Sequence, residues 1–107
     1  MFQDSFKDVA DTLEFSKPDL AKLIEVKVSS IRWDEQMPLV LRSRLQEFAT
    51  ICDLVGAFFE GDKRRTAMWF KVPNPLLGGS TPRELMRLGR AKKLRAIILA
   101  QKDGDEV

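Results

Sequence analysis

Leu41, Leu45, Phe48, Cys52, Val55 and Phe59 recur at steps of four, three, four, three and four residues. That spacing keeps one side of an α-helix apolar along its whole length. Ile51, Leu54 and Phe58 widen the stripe, so the helix, expected from about Leu39 to Phe59, is buried on more than one side and forms the spine of the fold. Val, Ile and Thr do not alternate with polar residues for long anywhere in the chain. Helical periodicity therefore dominates, and the expected fold class is all-α, with about seven helices or helical turns.

The segments around this helix are delimited by capping residues. A first helix is expected over about Phe6 to Phe15, with Val9, Ala10 and Leu13 as its apolar stripe. In "SKPD", Ser16 can cap, Pro18 fits a first turn and Asp19 favours the positive end of a second helix running through Val26. Ser29 or Ser30 can cap a short third helix holding Ile31 and Trp33, which ends near Pro38 because proline restricts the residue before it. Gly61 and Asp62 end the long helix and cap the next, about Lys63 to Val72. Thr81, Pro82 and Glu84 read as a capping box with proline at the first helical position, starting a helix that ends by Gly89. The last helix, roughly Arg90 to Lys102, turns Ala91, Leu94, Ile97 and Ile98 inward.

Composition narrows the chemistry. At 107 residues the chain suits one compact domain, or a small domain with a helical extension. It has no histidine, so the commonest general base and the commonest metal ligand are both missing. Cys52, the single cysteine, sits on the apolar stripe with no imidazole to activate it, and reads as a buried structural thiol. One cysteine excludes an internal disulfide and suits a reducing cytoplasm. No apolar run approaches the ~20 residues that span a bilayer, and the acidic, mixed N-terminus does not read as a signal peptide. No enzyme activity, metal or other cofactor is expected.

The stretch "WFKVPNPLLGGSTPRELMRLG", Trp69 to Gly89, is the most punctuated in the chain. Asn74 precedes Pro75 and is held extended. Gly78 and Gly79 supply positive φ or a close backbone approach. The lysine and Ser/Thr of a P-loop are absent, as is the glycine spacing of a dinucleotide site. The loop is then either a helix–corner–helix joint or a rigid binding loop, with Leu76 and Leu77 serving as core pins or as apolar anchors.

This stretch resembles the toxin-binding domain of the Xre/MbcA/ParS antitoxin family of bacterial toxin–antitoxin systems. That family shows a tryptophan, a Pro-Asn pair, a leucine, a glycine pair, Thr-Pro and a leucine-rich helix ending in glycine. Here these are Trp69, Pro73, Asn74, Leu77, Gly78, Gly79, Thr81, Pro82, Leu85 and Gly89. With its flanking helices the resemblance covers about Leu45 to Leu99. Upstream, "DLAKLIEVKVSSIRW" is similar to the Xre helix-turn-helix at Leu20, Ala21, Leu23, Val26, Ile31 and Trp33. It departs at Glu25, where a glycine usually makes the turn, and at Lys27, where a serine usually caps; Trp33 also comes early after Ile31.

The resemblance implies an antitoxin of a type II system. Such an antitoxin pairs with a RES-domain toxin that degrades NAD and neutralises it by blocking access to its active site. Many relatives also repress their own operon, so a DNA-binding transcriptional regulator is the alternative, with operator DNA as a second partner. A homodimer or a hetero-oligomer with the toxin is implied. On this reading residues 1–44 form a helix-turn-helix-like part and residues 45–107 the toxin-binding domain. Lys27, Ser29, Ser30 and Arg32 would be the DNA-facing residues.

Charge is divided along the chain. Residues 1–62 hold seven basic and twelve acidic residues, whereas residues 63–102 hold eleven basic and one acidic. A DNA reader concentrates positive charge on its recognition helix, yet here the basic face lies on the corner and the last two helices. Arg83, Arg87 and Arg90 share one helical face if the helix continues past Gly89. That patch can meet an acidic rim on a toxin or the phosphates of DNA. The expected toxin-binding residues are Asn74, Leu76, Leu77, Gly78, Gly79, Arg83, Arg87, Arg90 and Lys93.

Overall fold

The computed structural model describes residues 5–105, with side chains to residue 102. Among the described residues the chain is all-α, with six α-helices, two 3-10 turns and no strand. No helix among them is long and apolar enough to cross a membrane. The chain divides into two compact units, Met1–Asp53 and Leu54–Val107. The division falls within the long helix.

The first unit opens with α1 (Phe6–Thr12), capped by Ser5, and α2 (Lys17–Ile24). A full capping box starts α2: the Asp19 amide donates to Ser16 Oγ at 3.3 Å, and the Ser16 amide donates to Asp19 Oδ2 at 2.9 Å. Two backbone donors that would otherwise face water unpaired are thereby satisfied. The helix stops at Ile24 because Glu25 enters the left-handed region, at φ 57°, ψ 50°. This is the position where the helix-turn-helix pattern has glycine, and glutamate takes the glycine conformation there. Val9, Leu13, Leu20, Ile31, Leu41 and Leu45 are buried in this unit, and the Phe15 and Phe48 rings lie 5.6 Å apart.

The short third helix expected around Ile31 and Trp33 does not form. A 3-10 turn, Val28–Ser30, is followed by extended backbone at Ile31, φ −81°, ψ 104°. Local side-chain bonds compete with the helix and win. Arg32 pairs with Asp34 at 2.7 Å, and Asp34 Oδ1 accepts the Gln36 amide at 3.0 Å, which closes an Asx turn. Helical structure resumes in α3, Leu39–Phe58. Fourteen residues therefore separate α2 from α3, far more than the three or four that join the helices of a helix-turn-helix. Cys52 is buried on α3, and its burial pushes the thiol up to about 12, with the Asp53 charge adding to the shift.

In the second unit, α3 ends on a left-handed turn. Gly61 has φ 84° and its amide donates to Gly56 O at 2.9 Å. Asp62 then caps α4 (Lys63–Lys71), its Oδ1 accepting the Arg65 amide at 3.1 Å. A 3-10 turn, Pro75–Leu77, leads to α5 (Pro82–Arg87) and α6 (Ala91–Asp105). α5 packs against α4 and α6, and Phe70, Leu85, Met86, Leu94 and Ile98 are buried.

α5 and α6 are separate helices. Gly89 takes φ 79°, and the Arg90 amide donates back to Leu85 O at 2.8 Å. This is the left-handed glycine cap that ends many helices. Arg83, Arg87 and Arg90 therefore do not share one continuous helical face: the first two lie on α5, and Arg90 stands at the head of α6.

Candidate functional site

The corner between α4 and α5 is closed by Asn74. Its backbone is extended, φ −123°, ψ 123°, as the following proline requires. Its Oδ1 accepts the Leu76 amide at 3.0 Å. Its carbonyl accepts the amides of Leu77 and Gly79 at 2.9 and 3.1 Å, and its own amide donates to Ser80 O at 3.0 Å. One residue thus clasps both ends of the turn. Gly78 and Gly79, at φ 66° and 88°, supply the reversal. A Cβ at either would meet nothing within 4 Å, so the glycines are needed for backbone conformation and not for space.

Thr81 starts α5 by accepting the Glu84 amide on its hydroxyl at 3.1 Å, with Pro82 in the first turn. The Glu84 carboxylate, which a capping box would turn to the Thr81 amide, instead receives Arg87 Nε on Oε2 at 2.9 Å. The hydrogen bonds from Arg87 lower that carboxyl from its ordinary value.

Beside the corner lies an apolar cavity of about 310 Å³. Val55, Leu94 and Ile98 are its buried lining, and Phe59, Trp69, Leu77 and Ile97 are half-buried around it. Phe58 and Leu76 form a rim, 49% and 55% exposed. Asn74 and Gln101 supply the polar atoms of the lining. The Trp69 ring stands edge-on to buried Phe70, centroids 5.0 Å apart, which fixes its orientation. A second depression shares Leu76, Leu77 and Ile97 with the first and adds Gly78, Leu85, Arg90 and Lys93. Leu76 is the ridge between an apolar hollow and a basic one.

Six of the nine residues expected to bind a toxin line these two depressions: Asn74, Leu76, Leu77, Gly78, Arg90 and Lys93. Gly79 follows them on the exposed corner, and Arg83 and Arg87 lie half-buried on α5. The open question over the leucines is resolved: Leu76 is exposed and Leu77 half-buried, so neither is a core residue. Phe58, Phe59, Trp69 and Ile97 were not among the expected binding residues. In sequence Phe58, Phe59 and Ile97 read as core, whereas Trp69 opens the stretch that resembles the toxin-binding domain, and Phe58 lies at the edge of the α3 stripe.

The residues assigned to DNA are placed otherwise. Lys27, Ser29 and Ser30 lie at the 3-10 turn, and Arg32 is paired with Asp34 in the irregular segment behind it. No α-helix presents them. No cluster among the described residues offers three or more side chains suited to a metal.

The second unit is thus a helical module with a clasped corner flanked by an apolar hollow and a basic one. Residues 54–101 match the family described as the antitoxin Xre/MbcA/ParS C-terminal toxin-binding domain. The matched segment begins at Leu54, where the second compact unit begins. No curated protein and no solved structure matches the chain.

Proposed function

We propose that the protein is an antitoxin that neutralises a RES-domain, NAD-degrading toxin by direct contact through its second unit, closing access to the toxin's active site. The observation that carries this reading is coincidence: the corner and both depressions lie inside the segment that matches the toxin-binding family. The RES identity of the toxin follows from the family resemblance of the Trp69–Gly89 stretch.

The physical chemistry suits the role. A loop held by four hydrogen bonds to Asn74 loses little conformational freedom on docking. An exposed apolar rim supplies the area whose burial drives association. Eleven basic residues against one acidic between residues 63 and 102 steer the module towards an acidic surface and speed encounter.

Co-expression with a RES-domain toxin tests the reading. The wild-type chain is expected to restore growth, keep cellular NAD at its normal level and co-purify with the toxin. Failure to co-purify, with NAD lost as in cells carrying toxin alone, overturns the proposal. A complex that forms but still degrades NAD overturns the blocking mechanism and leaves binding intact.

A further inference from the structure

The geometry points to a specific chemistry on the partner: we propose that one apolar side chain of the toxin fills the hollow between Phe58, Trp69, Leu76 and Ile97. A carboxylate of the same toxin segment crosses the Leu76 ridge to Arg90 and Lys93. This inference rests on the toxin-binding reading and names what that surface recognises.

Three observations support it. The first is the character of the hollow. At about 310 Å³ it has the size of a small-ligand site, and its walls are aromatic and aliphatic. The Asn74 side-chain oxygen accepts the Leu76 amide, which ties that side chain to the corner, and Gln101 is the one other polar side chain of the lining. A polar occupant would lose its hydrogen bonds to water with little return, whereas an apolar one is drawn in.

The second is exposure. Phe58 and Leu76 stand 49% and 55% exposed beside a half-buried tryptophan. A continuous apolar patch of this kind, next to charged residues, is the usual mark of a protein contact. Buried aromatic anchors dominate the energy of such contacts.

The third is charge. Arg90 and Lys93 line the adjoining hollow. Glu84, the one acid between residues 63 and 102, is already held by Arg87. Residues 63–102 therefore leave no unpaired carboxylate for this basic hollow, and its complement comes from outside that stretch. A second copy of the chain is the competing source, because residues 1–62 carry twelve acids and leave Val26, Val28, Leu39 and Val40 exposed.

The tryptophans give a direct test. The chain has two, and Trp33→Phe leaves Trp69 as the sole indole. Titrating this full-length variant with the RES toxin is expected to shift Trp69 emission to the blue as its open edge loses water. Leu76→Lys is expected to raise Kd roughly tenfold or more. Arg90→Glu with Lys93→Glu is expected to slow association and remove most of its salt dependence. Circular dichroism checks the fold of each variant, and the fluorescence arm does not depend on the folding of Leu76→Lys or of Arg90→Glu with Lys93→Glu.

Toxin that binds with Trp69 emission unchanged overturns the inference and leaves the antitoxin reading standing. A blue shift on raising the concentration of the chain alone, with sedimentation as a dimer, assigns the hollow to a second copy and also overturns it. No complex at all with the wild-type chain defeats the antitoxin reading, and the inference with it.

Discussion

Arg87 lies one turn after Glu84 on α5 and closes a forked ion pair with it, Nε to Oε2 at 2.9 Å and Nη2 to Oε1. The pair occupies the one carboxylate in a forty-residue basic stretch, residues 63–102. It also ties Arg87 to its own helix, so Arg90 and Lys93 are the basic residues that line the hollow beside the corner.

That pair sets the response to acid. Arg87 lowers the Glu84 carboxyl, with a smaller contribution from Arg83, and Arg32 together with the Gln36 amide lowers Asp34. A carboxylate lowered in the folded state contributes stability above its ordinary value, and that contribution is lost as pH falls through the folded one. The chain has no histidine to titrate near neutrality. The melting temperature is therefore expected to be flat between about pH 5.5 and 7.5 and to fall below about pH 4. Glu84→Gln should flatten part of the acid limb, as followed by circular dichroism melts.

The corner should tolerate little change in backbone preference. Gly79 sits at φ 88° with open space around it, so Gly79→Ala introduces no clash and costs about 1–2 kcal/mol through conformation alone. Thr81→Ala removes the acceptor for the Glu84 amide and costs about 1 kcal/mol. Urea unfolding measures both, and unchanged midpoints would show that the loop is not a structural joint.

Much of this was legible because it is local. Ser16 with Asp19, Gly61 with Asp62, and Thr81 with Pro82 each mark a helix end through bonds spanning three or four residues. α3 was legible because its apolar spacing runs through twenty residues. The segment after Ser30 was not, since one isoleucine and one tryptophan are too few to show a period. The Arg32–Asp34 pair decides the matter through side chains. The hollow was hidden for another reason. Phe58, Trp69, Leu76 and Ile97 come from α3, α4, the corner and α6, and only packing separates a rim residue from a core one.

Cys52 should be inert in the folded protein. Burial raises its thiol to about 12, so almost none is thiolate at pH 8. Labelling with Ellman's reagent is expected to be negligible in native buffer and to reach one thiol per chain in guanidinium. Rapid native labelling would show that α3 opens locally.

DNA binding by the free chain should be weak. The loop that replaces a recognition helix carries Arg32 already paired, and residues 1–62 are net acidic. A gel shift with the protein's own promoter at physiological salt is expected to show no discrete complex. A tight, sequence-specific shift abolished by Arg32→Ala would contradict this.

The central claim is that the toxin covers the face made by the corner and the apolar hollow. Hydroxyl-radical footprinting of the full-length chain, alone and in its toxin complex, reads that face side chain by side chain. Phe58, Trp69 and Leu76 are expected to lose most of their modification in the complex, while Trp33, in the first unit, is modified equally in both states. Unchanged modification of those three residues, with protection confined to residues 1–53, would contradict the account.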